Sequence, residues 1–192
     1  MPTFSSDHAG SRGLIELRRP EPLDTTRHDR SVFECGDASL DDWLRRYAAQ
    51  NRRQDNSATW VITDADGVIV GYVALSMTGI DLSAAPPRLR RGSPDPVPGL
   101  LVGRLAVDRR YAGLGIGTAL VEYALATAVE LNAKVACKAI VVAALNLQAC
   151  AWWERFGFAR VDPDDSDCLD MYLLTQDVER TLASGPPGAA AE

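Results

Sequence analysis

Apolar and polar positions divide the chain into short segments with distinct periods. Residues 14–18 (LIELR) alternate and predict a short strand. After a Pro-punctuated connection, Leu40, Trp43, Leu44, Tyr47 and Ala48 recur at helical spacing. Asp37 or Ser39 is placed to cap that helix, and Asp41 and Asp42 suit the positive end of its dipole. Residues 58–63 (ATWVIT) and 68–76 (VIVGYVALS) predict two strands joined by the turn Asp64-Ala65-Asp66-Gly67. Residues 80–99 form a long proline-rich stretch, read as a loop of functional or disordered character. A buried strand at 100–107, a helix to about residue 132, a strand at 138–144 and a helix at 146–156 ended by Gly157 follow. A last strand at 169–175 and a short helix at 176–183 complete the order. This succession predicts a mixed α/β sheet in one domain over residues 13–183, with disordered tails at 1–12 and 184–192.

The chain is organised around GLLVGRLAVDRRYAGLGIGTAL at residues 99–120, in which strand, glycine-spaced turn and helix follow one another directly. Gly113, Gly115 and Gly117 alternate with Leu114 and Ile116, so the backbone turns tightly there and a ligand can approach unshielded amides. Amides at a helix N-terminus favour an anion such as a pyrophosphate. A glycine-rich helix start without a ligand has the same appearance. The stretch does not suit a Walker loop, which carries a lysine between its last glycine and Ser/Thr where Gly117 and Thr118 are adjacent, nor a Rossmann fingerprint, because the glycines are spaced one apart and lie past mid-chain.

Composition narrows the classes. With 46% hydrophobic residues among 192, the chain can bury a core without staples. No apolar run approaches the ~20 residues of a membrane span, and the first residues lack a signal pattern. Cys35, Cys137, Cys150 and Cys168 are scattered, and His8 and His28 are the histidines, so reduced core thiols in a cytosol are expected and no metal site. The net charge of -6 argues against a nucleic-acid partner until its distribution is considered. Arg45, Arg46, Arg52 and Arg53 cluster on and just after one predicted helix, and Arg88, Arg90 and Arg91 lie in the proline-rich stretch, while Asp162, Asp164, Asp165, Asp167 and Asp170 fall late. A basic face on an acidic protein is compatible with RNA, and equally with a solvated helix surface.

The glycine spacing resembles the acyl-CoA loop Q/R-x-x-G-x-G/A of the GNAT acetyltransferase superfamily. Gly115 and Gly117 fall on the pattern, and Ala112 stands in the Gln/Arg position, so the backbone donors of residues 113–117 remain without that side chain; Arg109 or Arg110 is placed to supply charge instead. Asn146, Ala149, Gly157 and Phe158 match a second pattern, N-x-x-A-x-x-F/L-Y-x-x-x-G-F. In the family the Asn hydrogen-bonds the pantetheine arm and the Tyr protonates the departing thiolate. Trp153 occupies the tyrosine position, with Trp152 before it; indole is a donor without useful acidity, and core packing accounts for at least one of the two. A third set, residues 33–44, Gly71-Tyr72, residues 96–98 and Arg104-Leu105-Ala106-Val107-Asp108, is similar to the GNAT toxins of bacterial type II toxin-antitoxin systems, over about residues 14–176.

That resemblance implies a central twisted mixed sheet flanked by helices, with acyl-CoA at the central strand-helix junction. It implies acetyl-CoA held by Leu105, Ala106, Val107, Ala112, Gly113, Leu114, Gly115, Ile116, Gly117, Thr118, Asn146, Ala149 and Trp152. Trp153 and the backbone of Leu105 and Val107 take the catalytic positions, and Arg45, Arg46, Arg52, Arg53, Arg88, Arg90, Arg91 and Arg104 the RNA-binding ones. It further implies acetylation of the α-amine of aminoacyl-tRNA, a ribbon-helix-helix antitoxin, a homodimer and the bacterial cytoplasm, with no membrane partner. The chemistry agrees independently. A lysine amine is about one part in a thousand neutral at pH 7.4, an α-amine roughly a quarter to a third. The site blocks contain no His and no placed carboxylate to act as base, which favours an α-amine; a small amine or protein N-terminus is the alternative acceptor. Tyr111 or water is an alternative proton donor, and a non-catalytic acyl-CoA-binding homologue the alternative to an enzyme.

Overall fold

The structure, a computed structural model, describes residues 19–183. The strand expected at 14–18 and both expected tails lie outside the described residues. Among the described residues seven strands form one sheet in the order β1-β2-β3-β4-β5-β7-β6. They are β1 (Glu21–Pro22), β2 (Ala58–Thr63), β3 (Ile69–Ile80), β4 (Val97–Val107), β5 (Ala139–Ala143), β6 (Ala159–Arg160) and β7 (Asp170–Leu174). Every neighbouring pair is antiparallel except β4 and β5. That exception arises because β4 leads into α4 (Ile116–Asn132), whose crossover returns the chain to the same end of the sheet.

The two faces bury different elements. On one, α4 and α5 (Leu147–Glu154) pack with α6 (Thr175–Ala183) over Val70, Val73, Leu75, Leu100, Val102, Ile140, Val142, Met171 and Leu173. On the other, α1 (Ala38–Asp42) continues through a π-helical turn at Trp43–Tyr47 into α2 (Ala48–Arg53), covering Val61, Tyr72, Ala74 and Ala106. The short α3 (Pro87–Arg90) seals the same face further along, with Leu89 fully buried against Val97, Ala139 and Leu174. Asp37 caps α1, accepting from the backbone of Ser39 and Leu40.

Several elements depart from the sequence expectation. The stretch 80–99 is not one loop: β3 runs to Ile80, β4 begins at Val97, and α3 lies between, because Leu89 has an apolar site to fill. Tyr47 does not join the buried stripe. The wider turn bonds the Ala48 amide to the Trp43 carbonyl, so Trp43, Leu44 and Ala48 share the inner face and Tyr47, 49% exposed, rotates outward. Cys137 and Cys150 are core thiols as expected, whereas Cys35 and Cys168 are half-buried; all four are free. Two-residue strands β1 and β6, too short to leave a periodic signal, extend the sheet at its edges. Among the described residues no helix is long and apolar enough to cross a membrane, and no three acidic, Cys or His residues group as metal ligands.

Candidate functional site

Two irregularities in β4 make the site. First, Ala74 pairs with Arg104 and Leu75 with Val102, which leaves Gly103 as an extra residue in β4. Leu100 and Val102 face α4, and alternation alone would send residue 104 the same way. The extra residue reverses the phase, so Arg104 faces α1 and Leu105 and Val107 face α4. Second, β4 pairs with β5 only at Gly99–Leu101, after which the strands part. Before the bulge the Pro98 carbonyl accepts from Lys138, toward β5; after it the Asp108 amide donates to Val70, toward β3. Alternation between these bonds aims the N–H groups of Leu105 and Val107 into the gap.

The gap opens onto the glycine loop. Gly113 and Gly115 hold φ of +80° and +79°, and a Cβ at either meets nothing within 4 Å, so the left-handed turn leaves the loop rim bare toward solvent. Gly115 is the N-cap of α4 and supplies no side-chain cap, leaving first-turn amides at the positive end of a 17-residue helix. Gly71 in β3 lets that first turn approach, since a Cβ there would sit 2.6 Å from Ile116 Cγ2. Asp108 fixes the loop from beneath. Fully buried, it accepts from the Glu34 and Arg110 amides and takes the Arg110 guanidinium at 2.8 and 2.9 Å. Burial raises its pKa, but the Arg110 and backbone donors outweigh that and hold the carboxyl below its ordinary value. Arg109 pairs with Glu34 at 2.7 Å. Both arginines expected to serve the loop are thus engaged by carboxylates.

From the far side α5 closes the cleft. Asn146 caps it, its Oδ1 accepting from the Ala149 amide at 2.9 Å, which leaves its Nδ2 as a donor. Trp152 leans over the loop, its ring 3.2 Å from where a Gly117 Cβ would be, so Gly117 is what admits it. Trp153, 5% exposed, packs edge-on against Trp152 and Phe158, with ring centroids 5.0 Å apart in each case. The resulting cleft has a volume of about 860 Å³. It brings together Leu105, Ala106, Val107, Ala112, Gly113, Gly115, Ile116, Gly117, Thr118, Asn146, Ala149, Trp152 and Trp153. Leu114 is in the loop but its side chain points outward, 47% exposed, because the glycines on either side turn it away from the cleft.

Of the eight arginines singled out from sequence, Arg104 lines the cleft. Arg45 donates to the Phe33 carbonyl and pairs with Asp42, which Arg46 shares; Arg52 pairs with Asp55 and Arg53 is exposed. Arg88 pairs with Asp177, Arg90 bonds the Ser83 and Ala85 carbonyls, and Arg91 lies exposed beyond them, all on α3 or just past it. Arg155 was missed. It lines the cleft with its guanidinium 5.9 Å from the Trp152 ring, and its place three residues after Trp152 on a helix was the available signal. Ser39, Leu40, Leu145 and Gln148 also line the cleft unforeseen. Tyr111 also lines the cleft; its hydroxyl donates to Asp64 at 3.2 Å, and burial together with that bond raises its pKa.

A sheet parted at its fourth strand, with bare amides at the following helix and room for an extended thioester between them, defines an acyl-CoA-dependent transferase. The acetyltransferase (GNAT) family model matches residues 18–158, and the chain belongs to that family, whose acyl donor is acetyl-CoA. A tRNA-acetylating toxin of Mycobacterium tuberculosis (strain ATCC 25618 / H37Rv) is 40% identical over 154 residues, covering 80% of this chain and 90% of that protein. The fold is shared with the toxin AtaT complexed with acetyl-methionyl-tRNAfMet (TM-score 0.77, 22% identity, 86% of this chain and 98% of that one). It is shared also with a tyrosine-to-phenylalanine variant of AtaT bound to acetyl-CoA and the C-terminus of the antitoxin AtaR (TM-score 0.73, 22% identity, 88% and 99%).

Proposed function

We propose that this chain, acting through its residue 13–183 domain, is a bacterial cytoplasmic toxin that acetylates the α-amine of aminoacyl-tRNA, blocks translation and is neutralised by a ribbon-helix-helix antitoxin. It works as a homodimer. The observation that carries the reading is the charge of the cleft: among the described residues its charged lining is Arg104 and Arg155, with no carboxylate or imidazole. Such a cleft offers no base to a lysine amine, needs none for an α-amine already partly neutral at pH 7.4, and draws in a polyanion. The 40% identical tRNA-acetylating toxin supports the same acceptor, and the AtaT complexes support the tRNA and antitoxin partners.

Acetyl-CoA supplies the acetyl thioester. The first-turn amides of α4, with Gly113 to Gly117 and Thr118, hold its pyrophosphate, and Asn146 Nδ2 meets the pantetheine arm. Leu105 and Val107 present backbone N–H groups to the oxyanion that forms as the amine attacks, an interaction worth about 10²- to 10³-fold in rate per donor. The amine's proton passes to water. Trp153 walls the thioester pocket without acidity, so the thiolate leaves unprotonated, which a thiol pKa of roughly 8.5 tolerates. Trp153 also favours a second reading, in which the chain binds acyl-CoA and its antitoxin but transfers little.

Incubation with labelled acetyl-CoA and total charged tRNA tests the proposal. The label is expected on the aminoacyl group and removable with the ester. Label confined to protein lysines or N-termini would overturn it, and binding without any transfer would establish the second reading.

A further inference from the structure

Arg104 is exposed where the cleft meets α1, and two features of the fold fix its position there. The bulge at Gly103 turns it to the α1 face. There its guanidinium lies 4.9 Å from the centre of the Trp43 ring, which is itself stacked on Tyr72 at 5.7 Å with 14° between planes. The Tyr72 hydroxyl donates to the Leu40 carbonyl and anchors the stack to α1. Trp43 begins the π-helical turn, a local distortion that recurs at functional sites. Unlike Arg45, Arg46, Arg52, Arg88, Arg109 and Arg110, Arg104 has no carboxylate partner among the described residues. No hydrogen bond to another protein group engages the Arg104 guanidinium among the described residues, and a planar guanidinium presents paired N–H donors suited to two oxygens of one phosphate.

We propose that Arg104, seated on Trp43, binds the phosphodiester on the 5′ side of the terminal nucleotide of the acceptor and so makes an aminoacylated nucleotide chain, rather than a free amino acid or aminoacyl nucleoside, the preferred substrate. This rests on the aminoacyl-tRNA reading. The placement is chemically consistent: eight bonds separate the α-amine of a 3′-aminoacyl ester from the 5′ phosphorus of the same nucleotide. Arg104 directly precedes Leu105, whose amide points into the gap where the oxyanion would form, and its own side chain lies on the α1 face, within reach of an acceptor entering from that side. Arg104 is a positioning residue, acting on where the amine sits.

The test compares two small acceptors, aminoacyl-adenosine and the aminoacylated dinucleotide cytidyl-adenosine, which adds the phosphodiester. Both carry an amino acid that the parent protein acetylates on tRNA. In the parent, kcat/KM for the dinucleotide is expected to exceed that for the nucleoside by about ten- to a hundredfold, the worth of a charge-assisted hydrogen bond. Arg104→Gln should bring that ratio close to one, and Arg104→Lys, which keeps the charge but not the planar fork, should leave it between the two. Unchanged acetyl-CoA affinity certifies the fold of each variant. A ratio near one in the parent, or a ratio that survives Arg104→Gln, overturns the inference while leaving the tRNA reading intact. Failure of the parent to acetylate any charged tRNA overturns both.

Discussion

Replacing Trp153 with tyrosine places a phenol at the position proposed to correspond to the family's tyrosine, in a pocket whose walls the structure specifies. Trp153 is held between Trp152, Phe156 and Phe158, with Val142, Ala143 and Asn146 completing that end of the cleft. Removing an aromatic side chain outright costs about 3–5 kcal/mol. Tyrosine keeps most of the ring contact, so we expect a loss of about 1 kcal/mol, small enough to leave the variant folded. A positioned general acid contributes about 10²- to 10⁴-fold, and an acid introduced by one substitution is expected to reach no more than the lower end, about 2.7 kcal/mol of barrier. The expected result is therefore a slightly less stable protein that acetylates charged tRNA up to ~10²-fold faster in single turnovers. Trp153→Phe matches tyrosine in shape and lacks the hydroxyl, so its rate should equal that of the parent. A gain in both variants would mean that indole crowds the thioester. If Trp153→Tyr folds, binds acetyl-CoA and turns over at the parental rate, residue 153 is not beside the sulfur and the assigned pose is wrong.

Three further outcomes are expected. Gly115→Asp finds open space but strains the turn at φ +79° and sets a negative charge at the α4 N-terminus, so acetyl-CoA affinity by calorimetry should fall at least about tenfold, and by more than in Gly115→Asn, which carries the same strain without the charge. Replacing Arg46, Arg52 and Arg53 together with Gln spares Arg45, which holds the Phe33 carbonyl, and should weaken tRNA binding and flatten its salt dependence without affecting acetyl-CoA; an unchanged slope would return this face to a solvated surface or an antitoxin contact. Asp108→Asn should destabilise by about 1–3 kcal/mol at pH 7, because the buried Asn Nδ2 cannot accept from the Glu34 and Arg110 donors that both carboxylate oxygens now take, while Arg110 itself is half-exposed and stays solvated. Since the Asp108 pKa is depressed in the folded state, its contribution is present above the unfolded value of about 4 and is lost as pH falls through the folded one, so parent and variant should converge in acid denaturation and differ by a constant amount above about pH 5.

The sequence carried the parts of the site that depend on residue type. Alternating glycines, an asparagine ahead of an apolar helix, and the strand before them were legible because each is a local requirement of backbone conformation or capping. The segments 58–63 and 138–144 were legible because short apolar runs between turn residues have few other solutions. What stayed hidden depends on phase or on pairing across the fold. Tyr47 fits a perfect heptad-like stripe and is outside it, since one wide turn changes which residues share a face. Arg109 and Arg110 looked free beside the loop, and only the approach of Glu34 and the burial of Asp108 engage them. Conversely, Arg155 is conspicuous in space and ordinary in sequence.

Both irregularities that shape the acceptor side are single-residue phase shifts. An uninterrupted β4 would carry Arg104 onto the face that α4 covers and turn the amides of Leu105 and Val107 toward β3, where strand pairing would consume them. The residue at Gly103 reverses both at once, which frees two donors for the gap and delivers a cation to the opposite face. The π-helical turn does the corresponding thing on the helical side. It brings Trp43, Leu44 and Ala48 inward together and so sets the indole flat against Tyr72, beneath the place where the reversed strand delivers Arg104. Each shift alone would be a cost, an unpaired strand residue or a strained turn. The coincidence of the two at one contact is what makes that corner of the cleft a specified feature rather than a by-product of packing.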